Sequence, residues 1–165
     1  MQKQPLNVIV GSVIQDGKCL LIRRIKEPYK NFWSLVGGKL EYGEDVRHAI
    51  EREFKEETAL TIRFLDVRGV VSEVIRGNTS DTAENHFLIW VCGCAYVGGA
   101  AVERKEGVLA WFSEAELDSR KAEIIPSDYL MLKRFFFSET APPSFHAVLM
   151  RSHGNGEYHI EYTDL

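Results

Sequence analysis

Glu53, Glu56 and Glu57 stand close together in the stretch Asp45 to Thr58, which contains neither glycine nor proline. Apolar residues recur there at Val46, Ala49, Ile50 and Phe54, a helical spacing. Advancing about 100° per residue from Val46, Ile50 and Phe54 fall within about 80° of it and Ala49 about 60° to the other side. Arg47, His48, Glu51 and Lys55 gather on the opposite, solvated face. Glu53 and Glu57 fall within about 20° of Val46, in the middle of the apolar stripe, with Glu56 flanking them.

Two readings compete for these acids. A charge run on a helix is ordinarily a solvated face. Carboxylates aimed inward, however, repel one another, and burying them unpaired costs several kcal/mol or forces protonation. A hard divalent cation removes that cost, and oxygen ligands suit magnesium or manganese. Arg52, one turn before Glu56, can pair with a neighbouring carboxylate and fix its orientation. Periodicity alone leaves both readings open.

The helix needs a scaffold, and the flanking sequence supplies strands. Leu6 to Gln15 and Cys19 to Ile25 read as a hairpin about Asp16-Gly17. A polar connection with Pro28 leads to the apolar stretch Phe32 to Val36, which Gly37-Gly38 breaks; a loop then runs from Lys39 to Glu44. Glu44 or Asp45 suits the helix start, where negative charge meets the positive end of the dipole. Thr61 to Ile75 and the longest apolar run, His86 to Val97, read as strands joined by a polar loop from Arg76 to Glu84. Val108 to Phe112 makes another strand, Ser113 caps a short helix over Glu114 to Leu117, and Pro126 opens a last helix through Phe137. After Pro142-Pro143, Phe145 to Arg151 and Tyr158 to Tyr162 flank a Gly154-Asn155-Gly156 turn. That tail reads as an added hairpin; edge-strand addition and a dimer contact are both open. Mixed strands with few helices indicate one α/β or α+β domain, with residues 1–140 as its body and 141–165 as a hairpin extension.

At 165 residues the chain suffices for one real core and falls short of two. A net charge of −4 gives no large basic field, which disfavours long nucleic acid as a partner. Cys19, Cys92 and Cys94 show no disulfide framework; Cys92 and Cys94 would share a strand face and read as buried structural thiols. The N-terminal stretch lacks a signal-peptide pattern and no apolar run reaches the ~20 residues of a membrane span. The expectation is a soluble, cytoplasmic protein without a membrane partner. Homodimerisation through the sheet or the hairpin is left open.

Gly38, five residues, Glu44, seven residues, then Arg52-Glu53-Phe54-Lys55-Glu56-Glu57-Thr58-Ala59-Leu60 resembles the Nudix box, Gly-x5-Glu-x7-Arg-Glu-U-x-Glu-Glu-x-Gly-U. Trp33-Ser34-Leu35-Val36-Gly37-Gly38 is similar to the usual lead-in and Trp111-Phe112-Ser113-Glu114 to a common later strand, so the likeness runs from about Leu6 to Phe137. Two positions depart from it. Ala59 replaces the glycine that closes the helix, often left-handed, at a cost of roughly 1 kcal/mol. Val36 replaces a proline often found before Gly-Gly. Neither removes a ligand.

The resemblance implies an α/β/α sandwich, with the box as loop–helix–loop over a mixed sheet. It also implies hydrolysis of a nucleoside diphosphate linked to another group. By position, Glu53 and Glu57 are the implied main metal ligands, Glu56 assists, and the Gly37 or Gly38 carbonyl contributes. The implied cofactor is Mg2+, with Mn2+ an alternative. Glu53, Arg52, Glu44 and Glu106 are the candidate catalytic residues. Glu44 divides between a structural role and the general base; Glu106, in Lys105-Glu106-Gly107, divides between ligand or base and exposed loop acid. Glu103 and Glu84 are weaker candidates. Arg23 resembles a strand arginine that touches substrate phosphate, against a plain surface arginine. Lys39 divides between phosphate contact and a solvated loop. Leu35 and Asp128 match positions that contact the base, although a helix N-cap explains Asp128 equally well. Phe32 and Trp33 read as core more than stacking platforms. His146, His153 and His159 show no ligand spacing.

The substrate implied first is a nucleoside triphosphate, standard or oxidised, cleaved to monophosphate and pyrophosphate. An ADP-ribose or nucleotide-sugar pyrophosphatase is the alternative; that branch commonly carries a proline past the box, and Gly69 to Arg76 holds none. A non-catalytic nucleotide sensor would be expected to lose the Glu-Glu pair or its arginine, and both are retained.

Overall fold

Alternating apolar residues and a tight turn fold the start of the chain back on itself. In the computed structural model β1 (Leu6–Gln15) and β2 (Lys18–Arg24) are antiparallel about Asp16-Gly17, where both residues take positive φ. The structure describes residues 4–77, 83–105, 107–138, 144–151 and 158–165, without the side chains of 83, 84, 150 and 151. Two short strands follow, β3 (Trp33–Ser34) and β4 (Val36–Lys39), then helix α1 (Val46–Thr58). Next come β5 (Thr61–Gly77), β6 (Ala83–Gly98), β7 (Gly107–Ser113), α2 (Glu114–Ser119), a 3-10 turn (Lys121–Glu123) and α3 (Pro126–Phe135). β8 (Ser144–Arg151) and β9 (Tyr158–Asp164) end the chain.

The sheet is mixed, in the order β3-β2-β1-β6-β5-β8-β9, with β4 also on β1 and β7 also on β2. The pair β1–β6 is parallel, and β4 runs antiparallel to β1 with Ile9 opposite Gly38 and Val10 opposite Gly37. Helices cover both faces. Ala49, Ile50 and Phe54 of α1 pack with Ile9, Leu20, Val36 and Cys92 on one side. Leu117 of α2 and Met131, Leu132 and Phe135 of α3 pack with Val71, Ile89 and Val91 on the other. The α/β/α layering expected from the sequence is therefore the observed one.

The C-terminal hairpin joins as an added edge: β8 lies parallel to β5, Val71 opposite Phe145, and β9 closes the sheet. Phe145, Ala147 and Leu149 are fully buried in the α3-side core. The Gly154-Asn155-Gly156 turn and Pro142-Pro143 lie outside the described residues. The Arg76 to Glu84 loop is shorter than expected at both ends, because the paired strands continue through Gly77 and resume at Ala83. The three cysteines are buried and free, and burial pushes each thiol up to about 12 or beyond, as fits structural packing. Among the described residues no helix is long and apolar enough to cross a membrane.

Helix α1 begins and ends as its sequence demands. Asp45 is the N-cap, its carboxylate accepting from the His48 N–H at 3.0 Å. Ala59 closes the helix in the left-handed region at φ 63°, a conformation its Cβ disfavours. Replacing Ala59→Gly should raise the unfolding free energy by about 1 kcal/mol. Urea denaturation checks this; an unchanged or lower midpoint would show that the αL residue is not strained.

Candidate active site

The functional side chains hang on three neighbouring pieces of the fold. Strand β4 brings the backbone of Gly37 and Gly38 up against α1, whose inward face carries Glu53 and Glu57. A Cβ at Gly37 would overlap the Ile9 carbonyl, and one at Gly38 would overlap the Glu53 carboxylate. Glycine at these two positions lets helix and strand approach closely enough for carboxylate to meet backbone. The Gly37 N–H donates to Glu57 Oε2 at 3.2 Å.

Arg52 organises the acids. Its Nε and Nη2 each donate to Glu44 at 2.9 Å, a bidentate pair, while Nη1 donates to Glu53 Oε1 at 2.7 Å. Nη2 also reaches the Lys39 carbonyl at 3.3 Å, and Nη1 lies 3.8 Å from Glu56. Hydrogen bonding from Arg52 holds the Glu44 carboxyl below the usual carboxylate range. Burial pushes Glu53 up, and the Arg52 hydrogen bond and charge oppose that shift. The Glu53 side chain is 13% exposed and that of Glu56 63%, so helix periodicity correctly separated the inward acid from its flanking neighbour. Glu51 departs from its expected solvated position: its carboxylate accepts from the Phe64 N–H at 3.0 Å and pins the start of β5.

These residues fit a divalent cation by the chemistry of their donors. Glu53, Glu57, the exposed Glu56 and the Gly38 carbonyl offer hard oxygen atoms around a cradle in which backbone blocks a side chain at Gly37 and the Glu53 carboxylate fills the space over Gly38. Among the described residues no three carboxylate, imidazole or thiolate groups converge into a ready-made cage. Magnesium does not require one, since it commonly binds through one or two carboxylates together with water and substrate phosphate.

A cleft of about 370 Å³ opens beside this cradle, lined by Leu35, Gly37, Gly38 and Lys39 on one side and Glu73, Asn85, Phe87 and Asp128 on the other. A narrower one of about 140 Å³ shares Arg24, Ser34, Leu35 and Gly37 with it and reaches Glu57. The two cavities are therefore neighbours that share a wall, one holding the apolar recess and the other bordered by Glu57 of the acidic helix. Lys39 is exposed at the rim. Arg23 is exposed, donates to the Asn31 carbonyl at 3.1 Å and is absent from both linings, where Arg24 stands instead. Glu56 borders a separate open depression with Glu103, Arg104 and Lys105. Glu106 and the side chain of Glu84 lie outside the described residues.

Asp128 is buried, and its Oδ2 accepts from the Leu35 N–H at 2.7 Å. It is not the helix N-cap, which is Ile125; Pro126 opens α3 and sets Asp128 in its first turn. Burial pushes its carboxyl up to about 7, the Leu35 N–H opposing and the Glu73 charge adding to the shift. Glu73 itself is 2% exposed and accepts from Tyr29 Oη at 2.8 Å and from Ser127 Oγ. The sequence reading missed Glu73, Tyr29, Arg24 and Asn85. Glu73 carried a usable signal: it sits between Val71 and Ile75 in the alternation of a strand, an acid on the buried face.

A glycine cradle, an inward acidic helix face and an adjoining cleft with a few convergent polar groups are the features of an enzyme site for a small charged ligand. A family model described as the NUDIX domain matches residues 5–135, and the chain belongs to the Nudix hydrolase family. It is 33% identical over 107 residues to the "Uncharacterized Nudix hydrolase YvcI" of Bacillus subtilis, covering 64% of this chain and 65% of that one. It is 36% identical over 89 residues to the "ADP-ribose pyrophosphatase" of Methanocaldococcus jannaschii, covering 54% of this chain and 53% of that one. The matched stretches thus span less than two thirds of either relative's own length. The crystal structure of a mutator MutT protein from Bacillus halodurans superposes with a TM-score of 0.74 at 20% identity, covering 96% of each chain. At that identity the likeness speaks for the fold.

The raised Asp128 carboxyl has a definite sign in stability. An unfolded aspartate releases its proton near pH 4 while the folded one holds it to about 7. The folded state therefore binds more protons across that window, and stability falls as pH rises through it. Asp128→Asn, which keeps an acceptor for Leu35, should remove this fall. Denaturation curves of parent and variant should diverge between about pH 4 and 7, the parent losing ground; parallel curves would place the Asp128 carboxyl in an ordinary environment.

Proposed function

We propose that the protein hydrolyses the diphosphate linkage of a nucleotide, with a nucleoside triphosphate as substrate and a nucleoside monophosphate and pyrophosphate as products. The observation that carries the reading is that the cleft beside Leu35 and Asp128 is lined by the glycine cradle itself and shares a wall with the cavity that Glu57 of α1 borders. Its apolar recess suits a base, with Asp128 and Asn85 as polar contacts. Lys39 and Arg24, nearer the cradle, suit phosphate oxygens.

Glu53 and Glu57 would hold magnesium or manganese, with Glu56 assisting and the Gly38 carbonyl contributing. When bound, such an ion would supply charge neutralisation at the phosphates and activation of water. Arg52 orients Glu53 and holds Glu44; with both oxygens engaged by a guanidinium and its pKa lowered, Glu44 is a weak base and serves structure. Glu106, outside the described residues, is kept as the candidate ligand or base on the family pattern of its sequence position alone. A second reading, cleavage of ADP-ribose or a nucleotide sugar, is favoured by the name of the archaeal relative.

The test is product release from a panel of nucleoside triphosphates, 8-oxo-dGTP, ADP-ribose and nucleotide sugars, with magnesium or chelator. Turnover should require the metal and fall about a thousandfold or more in Glu53→Gln and Glu57→Gln. Preference for ADP-ribose would move the protein to the second reading. Nucleotide binding without turnover across the panel would contradict both.

A further inference from the structure

Tyr29 is 5% exposed in the wall of the cleft and takes φ 67°, in the left-handed region that few non-glycine residues occupy. Such a conformation persists where the surroundings over-determine it. Two groups from distant parts of the chain do so here. Glu73 on β5 accepts from the Tyr29 hydroxyl at 2.8 Å, and with its other oxygen accepts from Ser127, next to Asp128. One carboxylate thus ties two walls of the cleft to the sheet between them. Tyr158, the first residue of β9, packs its ring on Tyr29 at 4.6 Å and on Phe32 at 5.8 Å. The far end of the same strand is fastened to α3, where Arg134 pairs with Asp164 and lies over the rings of Phe145 and Tyr162. The hairpin is therefore anchored at one end and leans on the cleft wall at the other.

We propose that Tyr29 is a specificity-determining wall of the base recess, and that Glu73 and Tyr158 are the positioning residues that hold it there. This gives the C-terminal hairpin a part in substrate selection. The proposal rests on the reading of the cleft as the base site. Each oxygen of Glu73 already accepts a hydrogen bond from the protein and the side chain is buried, so its effect on the recess is assigned to the placing of Tyr29 and the Ser127–Asp128 turn. Tyr158 is not among the residues lining the cleft, and its ring contact with Tyr29 is what couples it to the recess.

The test measures kcat and KM of the full chain for its preferred nucleotide and for the same phosphate chain on a different base. The parent is compared with Tyr158→Ala, Tyr158→Phe, Tyr29→Phe and Phe87→Ala, Phe87 lining the recess directly. Tyr158→Ala should raise KM about tenfold, move kcat less, and compress the ratio of kcat/KM between the two bases. Tyr158→Phe, which keeps the ring, should restore both. Tyr29→Phe, which removes only the hydroxyl held by Glu73, should compress the ratio too, and reads it alone if Tyr158→Ala does not fold. An unchanged ratio in Tyr158→Ala and Tyr29→Phe beside a raised KM in Phe87→Ala would overturn the proposal and leave the base recess standing. Parent values in all four variants would overturn the base-site reading with it. A fall in kcat with the ratio intact would reduce Tyr158 to a stabilising contact.

Discussion

Carboxylates gathered on the inward side of a helix repel one another and lose hydration, and in this chain the guanidinium of Arg52 offsets both effects. Its planar fork closes on Glu44 and its remaining edge on Glu53, so one cation orients two acids and reaches the carbonyl of Lys39 as well. Hydrogen bonds to charged groups are worth about 1.5–3 kcal/mol each, against a desolvation cost of several kcal/mol per buried ion. The balance is close, and the side chain's partial exposure screens it further. What the arrangement secures is geometry: Glu53 lies against Gly38, where an added methyl group would displace its carboxylate.

The rest of the fold serves that approach. Gly37 is required on β4 because the pairing with β1 leaves no room for a Cβ beside the Ile9 carbonyl, whereas Gly38 makes room for the Glu53 carboxylate. Helix α1 is pressed onto the same strands by Ala49, Ile50 and Phe54, which are fully buried. On the opposite face, α3 delivers Asp128 to the Leu35 backbone, so a single residue of chain separates the cradle from the recess wall. Under the proposed function, phosphate handling and base recognition would be two sides of the Leu35 to Gly38 segment.

Much of this was legible in the sequence, for definite reasons. Local rules found the Asp16-Gly17 turn and the Ser113 cap of α2 and narrowed the start of α1 to Glu44 or Asp45, since each depends on residues within a turn of one another. The left-handed Ala59 was legible only through the resemblance. Helical period put Glu53 on the apolar stripe and left a solvated face open, and its burial in the fold decides for the inward reading. What escaped depends on tertiary contact. Arg23 and Arg24 are adjacent and alternate across a strand, and which of them borders the cleft is decided by the pairing of β2 with β7 and by the loop beyond it. Asp128 reads equally as an N-cap until Leu35 is seen to claim its carboxylate from 93 positions away. The parallel pairing of β8 with β5 has no local signature, and Tyr29 comes to the cleft wall through Glu73 and Tyr158, both remote in sequence.

The cradle itself is open to direct measurement without turnover. Mn2+ binding can be titrated by electron paramagnetic resonance in the parent and in Gly38→Ala, whose methyl group would push the Glu53 carboxylate out of place while every acid is retained. The parent should bind the ion and the variant should bind it about tenfold or more weakly. Equal affinity in the two proteins, or none in the parent with or without nucleotide, would contradict a metal site built by Glu53 against the Gly38 backbone.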